Sequence, residues 1–174
     1  TNPLQMMDKG LALVPEDRKT EGLFLFSDIK FNSSIASLSE FISKLRVNGR
    51  KEREIAENAV KTLNIKVPSL ESKVGNLSGG NQQKVVLGKW LATDPKILIL
   101  DEPTRGVDVG AKAEIYKIIN SLAASGVAVI MISSELNEVM NMSDRMAVMR
   151  GGEISAILQR DEFEQDAILK HALG

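Results

Sequence analysis

The chain has 174 residues, about one domain's worth, with 43% hydrophobic and 26% charged residues, which excludes a wholly disordered segment. Its 22 Lys and Arg stand against 23 Asp and Glu for a net charge of -1, so no global positive field draws in nucleic acid. Five Phe, Trp90 and Tyr116 are too few for base-stacking platforms, and the absence of cysteine removes disulfides, thiol catalysis and Cys-based zinc sites.

The missing cysteines suit the cytosol. The longest apolar run, from Val127 to Ile132, is strand-sized and far short of the roughly 18 residues of a membrane span. No basic-then-apolar signal segment follows Thr1, and a start at Thr rather than Met suggests a fragment or a processed product. The expectation is a soluble domain, or part of one.

In chain order, Leu11-Ala12-Leu13-Val14 reads as a buried strand stopped by Pro15, followed by a charged loop over 16–22. A short helix is expected over 33–45, and Asn48-Gly49 marks a turn. Residues 50–65 carry Ile55, Ala59, Val60 and Leu63 at helical spacing among charges, an amphipathic helix with a solvated face. Pro68 and Gly75 bracket an irregular connection.

A helix over 82–91 then leads into a strand over 96–101 with both faces buried, and a helix over 110–124 into a second buried strand over 127–132. A helix near 135–140, a hairpin of 145–149 and 153–158 joined by Gly151-Gly152, and a helix over 161–172 complete the reading. Met131, Met140, Met142, Met146 and Met149 read as core filler, and His171 as a surface residue of the last helix. Alternating strands and helices argue for an α/β fold with a mainly parallel sheet.

Two features carry chemistry. The apolar run Ile97-Leu98-Ile99-Leu100 ends in Asp101-Glu102-Pro103-Thr104, placing two carboxylates at the carboxyl edge of the sheet, where open α/β folds bind ligands. One can hold Mg²⁺ while its neighbour polarises a water for attack on a phosphoryl group; a polar strand end turning through Asp-Glu-Pro is the plain alternative. Asn76-Leu77-Ser78-Gly79-Gly80-Asn81-Gln82-Gln83-Lys84 lies just ahead of a helical pattern. There the glycines let an anion approach and the helix start offers N–H donors, although an N-capping Ser in a glycine loop is the commoner reading of such a segment.

Taken together, these segments resemble the nucleotide-binding subunits of ATP-binding cassette (ABC) transporters. The family signature Leu-Ser-Gly-Gly-Gln corresponds to Leu77 to Asn81, and Arg105-Gly106-Val107-Asp108 looks like the loop that carries the family's interface Asp. Val14-Pro15-Glu16-Asp17-Arg18-Lys19, the stretch 101–112 and Ile132-Ser133-Ser134-Glu135-Leu136 resemble the second cassette of tandem sugar-importer ATPases of the ribose/galactose type.

The resemblance implies a partial P-loop NTPase (ABC cassette) fold with an α-helical subdomain and a C-terminal β-hairpin. Residues 1–27 would be a core segment with the Q-loop equivalent, and 28–74 the helical subdomain that meets a transmembrane partner. Residues 75–160 would hold the signature, Walker B, D-loop and switch positions, and 161–174 the last helix. The cofactors would be ATP and Mg²⁺. Ser78, Gly79, Gly80 and Asn81 would face ATP bound by a partner cassette, Asp101 and Glu16 would serve Mg²⁺, Glu102 would be the general base, and Asp108 would lie across the cassette interface. The partners would be the first cassette of the same chain, permease subunits and, indirectly, a periplasmic or extracellular sugar-binding protein, with no nucleic acid. The location would be cytoplasmic, on the inner face of the membrane.

Three departures stand out. No Gly-x-x-x-x-Gly-Lys-Ser/Thr occurs in the sequence, the element that cradles β/γ-phosphates. Glu16 replaces the family's Gln, and Ser134 replaces the switch His. Without that His, transition-state charge loses a stabiliser. The expectation is a segment that works mainly in trans, so that Glu102→Gln slows the intact transporter less than Gly79→Asp or Ser78→Arg does. A degraded, non-hydrolysing interaction or regulatory module is the alternative. A cassette protein of DNA repair or translation is disfavoured by the neutral charge.

Overall fold

The computed structural model describes residues 2–43 and 46–174. The chain divides into two compact units, residues 1–130 and 131–174. Among the described residues no helix is long and apolar enough to cross a membrane.

The first unit opens with α1 (Pro3–Asp8), where Asn2 and Gln5 form a reciprocal capping box and Pro3 takes the first helical position. Strand β1 (Leu11–Val14) follows. Within the loop after Pro15, Asp17 accepts from the N–H groups of Lys19 and Thr20 at 2.9 and 3.3 Å, winding residues Arg18–Gly22 into a single π-turn. Those hydrogen bonds, the Lys19 one foremost, hold the Asp17 carboxyl below its ordinary pKa.

The expected helix over 33–45 is earlier and broken. Asp28 caps α2 (Ile29–Ser34) by accepting from Phe31 N–H at 2.7 Å. Ser34 Oγ then donates back to the Lys30 carbonyl at 2.9 Å, and Ser37 Oγ to that of Ser34 at 2.9 Å. This back-bonding ends the helix, and a 3₁₀ turn (Ile35–Ser37) leads to the short α3 (Leu38–Phe41). Strands β2 (Ile42–Ser43) and β3 (Arg46–Val47) pair antiparallel; the rest of the expected helix, Lys44 and Leu45, lies outside the described residues.

Asn48 is a cap rather than a turn residue: it accepts from Lys51 N–H at 3.2 Å and starts α4 (Gly49–Thr62). The helix stops before Ile65 because Asn64 adopts a left-handed conformation, φ 48°, tolerated by Asn better than by most residues. Its buried Ala56 and Ala59 pack toward α5 (Gly79–Leu91). A Cβ at Gly88 of α5 would stand 3.0 Å from that of Ala59, so glycine is what lets these helices approach.

Strand β4 (Ile97–Asp101) pairs in parallel with β1, Val14 opposite Leu100, and β5 (Ala128–Ile132) completes the order β1-β4-β5. Between the last two runs α6 (Val109–Ala124). Ala12, Val14, Leu98 and Leu100 are fully buried on the face toward α5, whose Val85, Val86 and Leu87 are buried with them. The strands were expected to be covered on both faces; instead Leu13, Ile97 and Ile130 are 44, 36 and 52% exposed. One face makes the core and the other is open.

Lys84 ties α5 to α6 and to the turn that ends α4. Its buried ammonium donates to the Asn64 carbonyl at 2.9 Å and to Glu114 of α6 at 2.6 Å. That hydrogen bond and the Lys84 charge hold Glu114 below the usual carboxylate pKa. A depressed folded pKa adds stability that is present above the unfolded value and is lost as pH falls through the folded one. Glu114→Gln should therefore melt lower than the parent at pH 7, and the gap should close as pH drops below the carboxylate range; thermal unfolding at several pH values reads both.

The second unit begins within β5 and continues through α7 (Leu136–Met142) to β6 (Arg145–Arg150) and β7 (Glu153–Gln159), an antiparallel hairpin with a bulge at Val148/Met149. A 3₁₀ turn (Arg160–Glu162) precedes α8 (Gln165–Leu173), so the last helix starts later than expected. Met146, Val148, Leu158 and Ile168 form its core, with Met140 packed on them. Met149 is 61% exposed; the bulge turns it out, so it is not core filler. His171 is exposed, as expected.

Candidate functional site

Because β1 and β4 run parallel with Val14 beside Leu100, the loops that follow them leave the sheet at one edge. Asp101 closes β4, and Glu102 turns the chain at φ 46° ahead of buried Pro103 and Thr104. A left-handed non-glycine residue is a strained position that a fold keeps only where its surroundings hold it. The next turns are closed by Arg105 N–H donating to the Glu102 carbonyl at 3.1 Å and Val107 N–H to that of Thr104 at 3.2 Å. Asp108 then caps α6, accepting from Ala111 N–H at 2.9 Å.

The loop after β1 grips this segment. Arg18 donates to the carbonyls of Arg105 and Gly106 at 2.7 and 3.1 Å, and the carboxylate of Glu16 pairs with the guanidinium of Arg105. Burial lowers the Arg18 pKa against the opposing charge of Asp17, and its buried Nε has no hydrogen-bond partner. The Glu16–Arg105 pair is half exposed on both sides, so water screens it.

The third strand of chain at this place is the start of α5. It begins at Gly79, three residues before the expected 82, with Ser78 as N-cap residue. Yet Ser78 makes no side-chain capping bond; its exposed hydroxyl instead accepts from Asn81 Nδ2 at 3.0 Å. A Cβ at Gly79 would stand 2.8 Å from Arg18 Nη2 and 3.0 Å from the Gly106 carbonyl, and one at Gly80 2.4 Å from Ala111 Cβ. Both glycines are thus required by close approach, to the grip on 105–106 and to α6.

Glu16, Arg18, Ser78, Gly79, Gly80 and 105–108 are therefore one neighbourhood on the first unit. Ser134 lies exposed between β5 and α7 in the second unit, where Ser133 donates to buried Glu138 and accepts from Glu135 N–H at 3.1 Å. The carboxylate of Glu16, expected to serve a metal, is held by Arg105. Among the described residues no group of three or more His, Asp or Glu gathers to cage an ion. An Mg²⁺ that shares nucleotide oxygens asks for only one or two carboxylates, a demand that Asp101 at the strand end fits.

Sequence reasoning missed Arg18. It sits in Glu16-Asp17-Arg18-Lys19, where nothing in the sequence separates a half-buried guanidinium from solvated neighbours, and its partners lie 87 and 88 residues away.

The family model described as ABC transporter matches residues 3–105. A ribose import ATP-binding protein of Oceanobacillus iheyensis is 50% identical over 173 residues, covering 99% of this chain and 35% of the relative. A xylose import ATP-binding protein of Geobacillus kaustophilus is 53% identical over 172 residues, covering 99% and 34%. The chain thus spans about a third of the length of these curated relatives. A solved ATP-binding cassette of an ABC transporter superposes with a TM-score of 0.80 at 24% identity, over 99% of this chain and 72% of that one. A nucleotide-free cassette from an ABC transporter gives 0.77 at 25%, over 100% and 72%.

Proposed function

Since the chain belongs to the ABC transporter family, we propose that it is the signature-bearing part of an ATPase cassette that powers sugar import. The sugar class follows from the names of the ribose and xylose import relatives. The observation that carries the reading is the start of α5, where an exposed serine stands at a helix N-terminus without capping it, beside the loop 105–108. Such a helix start favours an anion.

In this reading Ser78, Gly79 and Gly80 donate to the γ-phosphate of ATP held by a partner cassette, the first of a tandem pair. Asp108 faces that partner across the interface. Asp101 would hold Mg²⁺, which would neutralise charge on the phosphoryl group, and Glu102 would take the proton of the attacking water. Ser134, in the place where the resemblance expects the switch His, offers no imidazole to developing phosphate charge. The segment therefore acts mainly in trans. Residues 28–74 contact membrane permease subunits on the cytoplasmic side, and a sugar-binding protein delivers the substrate to them. The division of the chain at 28, 75 and 161 belongs to the same proposal.

A non-hydrolysing module is the second reading. It is favoured by Ser134 in the position where the resemblance expects the switch His.

Calorimetric titration of Mg-ATP into this chain tests the trans reading. No detectable binding is expected, because the sequence holds no Gly-x-x-x-x-Gly-Lys-Ser/Thr cradle. Tight, saturable binding would mean that these residues build their own phosphate site.

A further inference from the structure

Asn81 makes two hydrogen bonds whose directions are chemically fixed. Lys66 N–H donates to Asn81 Oδ1 at 2.8 Å. A backbone N–H has no lone pair to offer, so the oxygen of the amide must face it and the nitrogen must face Ser78. That nitrogen, Nδ2, can only donate, and it does so to Ser78 Oγ at 3.0 Å. Ser78 Oγ is therefore an acceptor within the protein, and its own proton must point elsewhere. It does not cap α5, and the Ser78 carbonyl is engaged by Gln82 N–H at 2.9 Å.

We infer that Asn81 is a positioning residue that turns the Ser78 hydroxyl proton outward, making Ser78 a donor to an anionic phosphate. The inference rests on the reading of Ser78 as a contact of ATP. It adds where the specificity for an anion comes from: a phosphate oxygen can only accept, and a serine whose proton was already held inside the protein would present lone pairs to it. The same amide ties the phosphate-facing hydroxyl to the backbone of Lys66, just beyond the end of α4, so a shift of that segment reaches Ser78 through two hydrogen bonds.

Asn81→Asp is the discriminating variant. Its carboxylate still accepts from Lys66 N–H, so the local fold keeps its anchor, but toward Ser78 it accepts instead of donating and pulls the hydroxyl proton inward. Steady-state hydrolysis of Mg-ATP by the full-length protein, assembled with its membrane partner, is compared for Ser78→Ala, Asn81→Ala, Asn81→Asp and the Ser78→Ala/Asn81→Asp double variant. Asn81→Asp is expected to lower kcat/KM roughly 10- to 100-fold, chiefly through KM, which is the worth of one hydrogen bond to a charged group. Asn81→Ala, which leaves the hydroxyl free to rotate, is expected to lose less.

The added carboxylate also repels phosphate, and the double variant separates that effect. Coupling of roughly fivefold or more between the two positions is expected, because without the hydroxyl there is no proton to misdirect. If Asn81→Asp costs the same with and without Ser78, only charge is at work and the inference is overturned while the ATP contact stands. If Ser78→Ala changes neither KM nor kcat, the reading of Ser78 fails and the inference falls with it.

Discussion

Gly79→Asp should lower ATP turnover of the assembled transporter by about 100-fold or more, the scale of losing a preorganised donor at a developing phosphate charge. A side chain here is crowded. Its Cβ would lie 2.8 Å from Arg18 Nη2 and 3.0 Å from the Gly106 carbonyl. The new carboxylate would draw the Arg18 guanidinium away from the carbonyls of Arg105 and Gly106 and place negative charge at the helix start. Gly79→Ala shares only the steric part and should be milder. Hydrolysis rates of the two variants, at matched expression, separate crowding from charge.

The second large effect is expected at Arg18. One guanidinium spans two carbonyls from the loop that ends in Asp108, a fork that lysine cannot reproduce. Arg18→Met leaves both carbonyls without their donor and should cost about 2–3 kcal/mol by the worth of hydrogen bonds to charged groups. That corresponds to a fall in Tm of about 4–12 °C in a chain of this size. Arg18→Lys should recover part of it, since an ammonium reaches one carbonyl at a time. Activity should fall further than stability predicts, because the freed loop carries Asp108 and abuts Gly79. A melting curve unchanged in Arg18→Met would show that the grip is incidental.

Legibility in the sequence followed how local each cause is. The runs at Leu11, Ile97 and Ala128 and the Gly151-Gly152 hairpin were readable because apolar patterning and turn chemistry act within a few residues. The start of α5 was placed late because Gly79 and Gly80 look like loop residues. Both stand in the first turn of the helix, and close approach to Gly106 and Ala111 is what calls for glycine there. The capping box of Asn2 and Gln5 was a local signal that went unread, whereas the break after Ser34 depends on hydroxyl back-bonding that periodicity does not display. Which face of the sheet this segment itself covers was not legible, because an apolar run reports what a strand can bury, and Ile130 is half exposed in this segment. Asp101, Glu102 and the signature residues were legible as motifs. The Arg18 grip and the polarity of Asn81 were not, because both are set by partners distant in sequence or by hydrogen-bond direction.

The central claim is that this segment contributes to ATP turnover chiefly through its signature loop in trans, rather than through its own carboxylates. The most direct measurement sets Glu102→Gln beside Gly79→Asp in the intact transporter and compares ATP-hydrolysis rates. Gly79→Asp is predicted to be the slower by a wide margin, with Glu102→Gln retaining most of the turnover. A Glu102→Gln enzyme that is the slower of the two would place the working hydrolytic site at Asp101 and Glu102 and contradict the account.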